Sequence, residues 1–151
     1  MGEEVAQVQE VLQRIADAAG VEATVEVREA ADGLTGEYLG EDLGLLIGHH
    51  GQTIDAIQHL AYRISTRGAA ERKSVTVDAA GYRERRAVTL RAAADQAAHD
   101  ALLERRPVSL EAMSPLERKV IHEHLKGRHD IETYSEGQEP ARRLVVAPLV
   151  D

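Results

Sequence analysis

Leu43-Gly44-Leu45-Leu46-Ile47-Gly48-His49-His50-Gly51-Gln52-Thr53-Ile54-Asp55-Ala56-Ile57-Gln58 is the stretch on which the reading of the fold turns. An apolar run closes at Ile47, a Gly-His-His-Gly insert follows, and Ile54, Ile57, Ala61 and Ile64 then recur every three or four residues. That spacing predicts a helix beginning at Gln52 and stopping at Gly68. Glycines at both ends of the insert let the backbone turn tightly and approach a neighbour closely. On the N-terminal side, Val5, Val8, Val11, Leu12 and Ile15 fall at helical spacing, with Gly20 as the stop. Ala23 to Glu29 alternates as a half-buried strand would, Asp32-Gly33 signals a hairpin turn, and a second strand is expected around Leu34 to Leu39. Ser74 to Asp78 alternates again, with Val75 and Val77 inward. The predicted order is helix, strand, strand, helix, helix, strand.

A hinge at Ala79-Ala80-Gly81 leads into a long charged helix, roughly Tyr82 to Arg105, with a thin apolar stripe of Leu90, Ala94, Ala97 and Ala101. Pro107 to Leu110 reads as a short strand. Ser114-Pro115-Leu116-Glu117 is a helix start, with a serine cap, proline at the first position and a glutamate three residues after the cap. Two strands, Ile131 to Ser135 and Leu144 to Leu149, close the chain around the turn-rich Glu136 to Pro140. The expectation is an α+β chain of two domains, residues 1–80 and a smaller α/β domain at 81–151.

The chain holds 151 residues, no cysteine and a net charge of −8. Disulfides and thiolate metal sites are therefore excluded. No apolar run reaches the roughly 20 residues of a membrane helix, and the acidic start lacks a signal-peptide layout, so a cytoplasmic protein without membrane insertion is expected. Residues 1–80 hold 6 Lys and Arg against 14 Asp and Glu, while residues 81–151 are balanced. Any phosphate contact must come from local patches and backbone amides rather than a bulk basic field. With no Phe or Trp and only four tyrosines, base-stacking platforms are not expected.

Two helices joined by Gly-x-x-Gly, in this element order, resemble a type II KH domain, whose GXXG loop clamps four nucleotides. Gly48, His49, His50, Gly51 and Gln52 would face the backbone of a strand at the mouth of the second helix, where free amides and the positive dipole end lie. Ile47, Ile54 and Ile57 would line the groove for bases. Both middle positions of the loop, often Lys or Arg in such domains, are His here. Downstream, Arg118 and His122 sit four apart on the capped helix, offset by about 40° around the axis, so both could reach one phosphate. Arg142 and Arg143 would enlarge that basic area if they fold back.

Taken with Tyr82-Arg83-Glu84-Arg85-Arg86, Glu117-Arg118-Lys119-Val120-Ile121-His122 and Glu132-Thr133-Tyr134-Ser135-Glu136-Gly137, the chain resembles the bacterial Jag family, also called KhpB or SpoIIIJ-associated. Its members join a KH domain to a domain named for its Arg-three-residues-His signature. The resemblance implies single-stranded RNA binding without catalysis or cofactor, in post-transcriptional control of cell elongation, division or the envelope, often with a small KH-domain protein as partner. It also implies that Gly48 to Gly51 clamp RNA and that Arg118 with His122 form a second contact. Many members carry an additional N-terminal domain; here the first helix starts almost at Met1, and that domain's role is not expected of this chain.

Single-stranded DNA stays open as a ligand, since nothing marks a 2′-OH contact. An enzyme is not expected. His122-Glu123-His124 places its histidines about 160° apart on a helix, and the final position of a zinc-protease His-Glu-x-x-His is Lys126. The competing reading is a protein-interaction adaptor with a degenerate loop, to which the acidic first half and the His-His pair point. Imidazole has a reference pKa of about 6.5, so RNA affinity is expected to rise as the pH falls from about 7.5 to about 6. A flat profile in a binding titration would remove the imidazoles as charge donors.

Overall fold

The computed structural model describes residues 2–149. The chain divides into two compact units, one running to Arg83 and the other starting at Glu84. Helices and strands are mixed in both, as an α+β chain requires.

In the first unit the order is α1 (Glu3–Ala18), β1 (Thr24–Ala30), β2 (Gly33–Leu39), α2 (Gly44–Ile47), α3 (Gln52–Ser65) and β3 (Ser74–Ala79). Glu3 and Glu4 occupy the first turn of α1, where carboxylates favour the helix dipole. Its end is closed by Gly20 in the left-handed region (φ 72°), with the Val21 amide reaching back to the Ala16 carbonyl at 2.9 Å. The sheet runs β1-β2-β3, with β1 antiparallel and β3 parallel to β2. Val5, Val8, Leu12 and Ala16 of α1 and Ile54, Ile57 and Ala61 of α3 belong to the same core as Val25, Leu34, Tyr38, Val75 and Val77 of the sheet. Tyr38 is fully buried and its hydroxyl donates to the Leu12 carbonyl at 2.6 Å. That bond fixes α1 on the sheet and satisfies the one polar atom of a large core side chain. Burial raises the Tyr38 pKa well above its ordinary range.

The hairpin differs from its expected position by one residue. Ala30 pairs with Gly33, so the two-residue loop is Ala31-Asp32 and Gly33 opens β2. Glycine is required there for a different reason than turn geometry. A Cβ on Gly33 would stand 2.1 Å from the Ser74 hydroxyl and 2.4 Å from its carbonyl oxygen, so the close approach of β3 excludes any side chain.

β3 forms the sheet's edge, and the backbone of Val77 is capped by side chains of its own unit. The Val77 amide donates to Gln58 Oε1 at 2.8 Å and its carbonyl accepts from Arg83 Nε at 2.9 Å. Arg83 continues to Asp55 at 2.7 Å and to Gln58 at 3.1 Å. The Asp78 carboxylate accepts from the Ala79 and Arg83 amides. Residues 82 and 83, the first two of the next helix, thus belong physically to this unit.

The second unit contains the rest of α4 (Tyr82–Glu104), then β4 (Val108–Ala112), α5 (Pro115–Leu125), β5 (Ile131–Glu136) and β6 (Arg143–Pro148). The sheet order β4-β6-β5 is antiparallel throughout. Leu90, Ala94, Ala97, Ala98 and Ala101 of α4 are buried with Met113, Ile121, Leu125, Ile131, Leu144 and Val146. Alanines on the buried stripe let neighbouring backbones come close without voids. Ser114 caps α5 by accepting from the Glu117 amide at 3.3 Å, with Pro115 at the first position. The carboxylate of Glu117 is gripped by Arg86, with bonds of 2.7 and 3.3 Å, and both side chains are largely buried. Ile47, expected beside a groove, is half-buried at the end of α2 and packs on the first core.

Replacing Gly33 by Ala is expected to destabilise the first unit by about 2 kcal/mol or more, because the clash falls on backbone as well as on a side chain. Urea unfolding and amide exchange of β1 and β2 would register it. Unchanged stability would mean that β3 shifts freely.

Candidate nucleic-acid interface

The Gly-His-His-Gly segment is a tight link between α2 and α3. Gly48 sits at φ 74°, ψ −174°, a region essentially reserved for glycine. A Cβ there would meet Thr53 Oγ1 at 2.1 Å and its amide nitrogen at 3.0 Å. Gly51 is left-handed at φ 81°, and a Cβ on it would meet the Tyr82 ring at 2.9 Å. Between them His50 also lies in the left-handed region, at φ 53°. His49 to Gly51 form a single 3-10 turn. The two imidazoles stack, with centroids 3.8 Å apart and planes 27° from parallel. His49 is exposed and His50 half-buried.

The amides of the loop are not all available. The Gly48 amide donates to Gly44, the Gly51 amide to Gly48 at 3.4 Å and the Gln52 amide to His49. The loop's outward chemistry is therefore carried more by its imidazoles and less by a full row of free peptide N–H groups than the sequence suggested. Gln52 and Thr53 are exposed at the start of α3. Ile54 and Ile57 do not line a groove. Both are buried, Ile54 completely, because their helical phase turns them into the core.

In the second unit the Arg118 and His122 side chains lie on one side of α5, as their spacing requires. Arg118 is not an open fork, however. It is 8% exposed, donates to the Met113 carbonyl at 2.7 Å and to the Arg142 carbonyl at 3.5 Å, and pairs with the Glu139 carboxylate at 2.5 Å. Its guanidinium fastens the turn between β5 and β6 to the start of α5. His122 is exposed, with Nδ1 2.5 Å from Thr133 Oγ1 on β5. His124 faces Asp95 on α4 instead, at 2.9 Å, so the two histidines serve different elements. Glu123, between them, is held below the usual carboxylate range by a hydrogen bond from Lys126 and by the charge of that lysine. Arg142 does fold back, by its carbonyl towards Arg118, while its own side chain donates to the Gly137 carbonyl at 2.6 Å. Arg143 begins β6 and is exposed.

Sequence reading missed that Thr133, within the Glu132-to-Gly137 run, meets His122, that Glu139 in the following turn meets Arg118, and that Thr53 and Tyr82 stand against the two glycines. The Tyr82-to-Arg86 run gains a physical account. Tyr82 closes on Gly51, Arg83 ties α3 to β3, and Arg86 holds Glu117.

Residues 6–78 match the KH domain family of KhpA/KhpB, and residues 88–148 match the family of the Arg-three-residues-His domain. Over 138 residues the chain is 37% identical to RNA-binding protein KhpB of Bacillus subtilis, covering 90% of this chain and 66% of that protein. The chain belongs to the KhpB family. A further KhpB, from Clostridium symbiosum, is 35% identical over 91% of this chain and 63% of its own length. One from Streptococcus pneumoniae is 33% identical over 89% and 41%. The chain thus spans just under two thirds of the length of the first two relatives. No helix among its described residues is long and apolar enough to cross a membrane.

Because Arg118 is built into the turn, Arg118→Ala is expected to lower the stability of the second unit by about 1–3 kcal/mol, leaving the buried Met113 carbonyl without its donor. A purely superficial ligand arginine would leave the unfolding midpoint unchanged, so chemical denaturation separates the two roles.

Proposed function

We propose that this KhpB-family chain binds single-stranded RNA, non-catalytically, with the Gly48–Gly51 turn as its principal contact. One observation carries the reading. Two glycines are packed so closely, against Thr53 and Tyr82, that no side chain fits on the inner surface of the turn, and between them stands a stacked imidazole pair, His49 exposed and His50 half-buried, at the mouth of a 14-residue helix. Imidazole N–H groups donate to phosphate oxygens in either charge state. The dipole end of α3 adds positive potential at the same place. The relatives' printed names, RNA-binding protein KhpB, support the same ligand class.

The second unit contributes a weaker contact through His122, Thr133 and the exposed Arg143. Arg118 joins it only where an incoming phosphate displaces Glu139, whose carboxylate now occupies one end of the guanidinium. Such a protein would act after transcription, on RNA that is already made. A role in cell elongation, division or envelope control, and pairing with a small KH-domain protein, belong to this proposal as what the family suggests. So does a cytoplasmic location.

The experiment is a salt-dependent titration with single-stranded RNA. His49→Asp with His50→Asp places carboxylates against the phosphates, and Asp tolerates the left-handed conformation at position 50. Affinity is expected to fall at least tenfold with the fold intact by circular dichroism. Equal binding by the double variant would sink the loop's proposed role, whereas wild type that shows no salt-dependent RNA binding would shift the assignment to a protein-interaction adaptor.

A further inference from the structure

The first unit holds few cations, and half of them meet in one place. Of its six Lys and Arg before residue 80, Arg63, Arg67 and Arg72 line a single groove of about 470 Å³ at the far end of α3, with Tyr62, Ile64, Thr66 and Gly68. No carboxylate lines it. Lys73, the next residue, is instead drawn away to Glu29 at 3.2 Å. Among the described residues none offers the guanidinium of Arg63, Arg67 or Arg72 a hydrogen bond or an ion pair. Three exposed guanidiniums in a groove that no carboxylate lines, within a unit with 14 acidic residues before position 80, concentrate positive potential where an anion can be received.

Helix dipole compensation accounts for one of the three at most. Arg63 lies in the last turn of α3, where a cation is favoured. Arg67 and Arg72 lie beyond the helix, and nothing in its dipole calls for them.

The groove is connected to the loop by a track along α3. At about 100° per residue, Gln52, Ala56, His59, Leu60 and Arg63 fall within roughly 100° of arc, and all five are exposed. The one carboxylate of α3, Asp55, is turned off this stripe and neutralised by Arg83. The stripe therefore carries no negative charge from Gln52 to Arg63. Leu60 and Ile64, 45% and 37% exposed, offer apolar patches on which a base can rest. From Gln52 to Arg63 the helix rises about 17 Å, so a strand that reaches the groove needs nucleotides beyond the four that a GXXG loop clamps.

Building on the RNA-binding reading, we infer that Arg63, Arg67 and Arg72 form a second phosphate site of the first unit, which receives an RNA strand after it leaves the Gly-His-His-Gly turn and runs along the exposed stripe of α3. The site makes binding depend on strand length.

The test uses the whole chain and RNA oligonucleotides of four and of about twelve nucleotides, each titrated across a salt series. In wild type the longer RNA binds more tightly and with the steeper salt dependence. The variant Arg63→Ala, Arg67→Ala, Arg72→Ala is expected to lose about tenfold or more on the long RNA. Its salt slope should shrink by about 2, from three lost phosphate contacts at about 0.7 each on a single strand, while the short RNA binds as before. The triple Lys variant should restore most of the slope, which a mere packing role would not do. Identical affinity and slope for the long RNA in wild type and the Ala variant would overturn the site while leaving the loop's role standing. Failure of wild type to bind either RNA would overturn the RNA-binding reading itself, and this site with it.

Discussion

The shape of the turn between α2 and α3 depends on steric exclusion from both sides. Thr53 stands over Gly48 and Tyr82 over Gly51, and each leaves room for a hydrogen atom and nothing larger. Confined in this way, the backbone passes through three left-sided conformations in four residues, one of them borne by a histidine. That costs free energy locally and persists because the surroundings over-determine it. Tyr82 in turn is held in place by the residue after it, since Arg83 is bonded to Asp55, Gln58 and Val77. The turn is thus braced by the chain that leaves the unit, which explains why the first two residues of α4 belong with the fold that precedes them.

The second unit uses buried charge for a similar end. Arg86 and Glu117 join α4 to α5, and Arg118 joins α5 to the turn before β6. Pairs of this kind contribute little net stability against apolar substitutes but are expensive to break singly. They fix which helix meets which turn. Their consequence is that the signature arginine of this domain is mostly a structural member, and the exposed surface beside it belongs to His122 and Thr133.

Much of the architecture was legible in the residues. The order of elements, the serine cap of α5, the alanine stripe of α4 and the core faces of β1 and β3 follow from spacing and capping chemistry, which are local properties. What escaped was whatever two distant segments decide together. Gly33 reads as a turn residue next to Asp32, yet its demand comes from Ser74, far along the chain. Ile54 reads as a groove residue next to the loop, yet the phase of α3 buries it with Ile57. Arg118 with His122 reads as a phosphate fork, yet Glu139 and the Met113 carbonyl reach the guanidinium first. Motifs singled out candidate residues there. They did not report whether those residues face outward.

The capping of Val77 has a consequence for association. A three-stranded sheet ordinarily offers both outer strands to a neighbouring chain. Here the amide and carbonyl of Val77 and the amide of Ala79 are already bonded to Gln58, Arg83 and Asp78, so β3 has no ladder left to share at its centre. A strand added on that flank would have to displace the bonds that Gln58 and Arg83 make to Val77, a demand that β1, on the opposite margin, does not make through these residues.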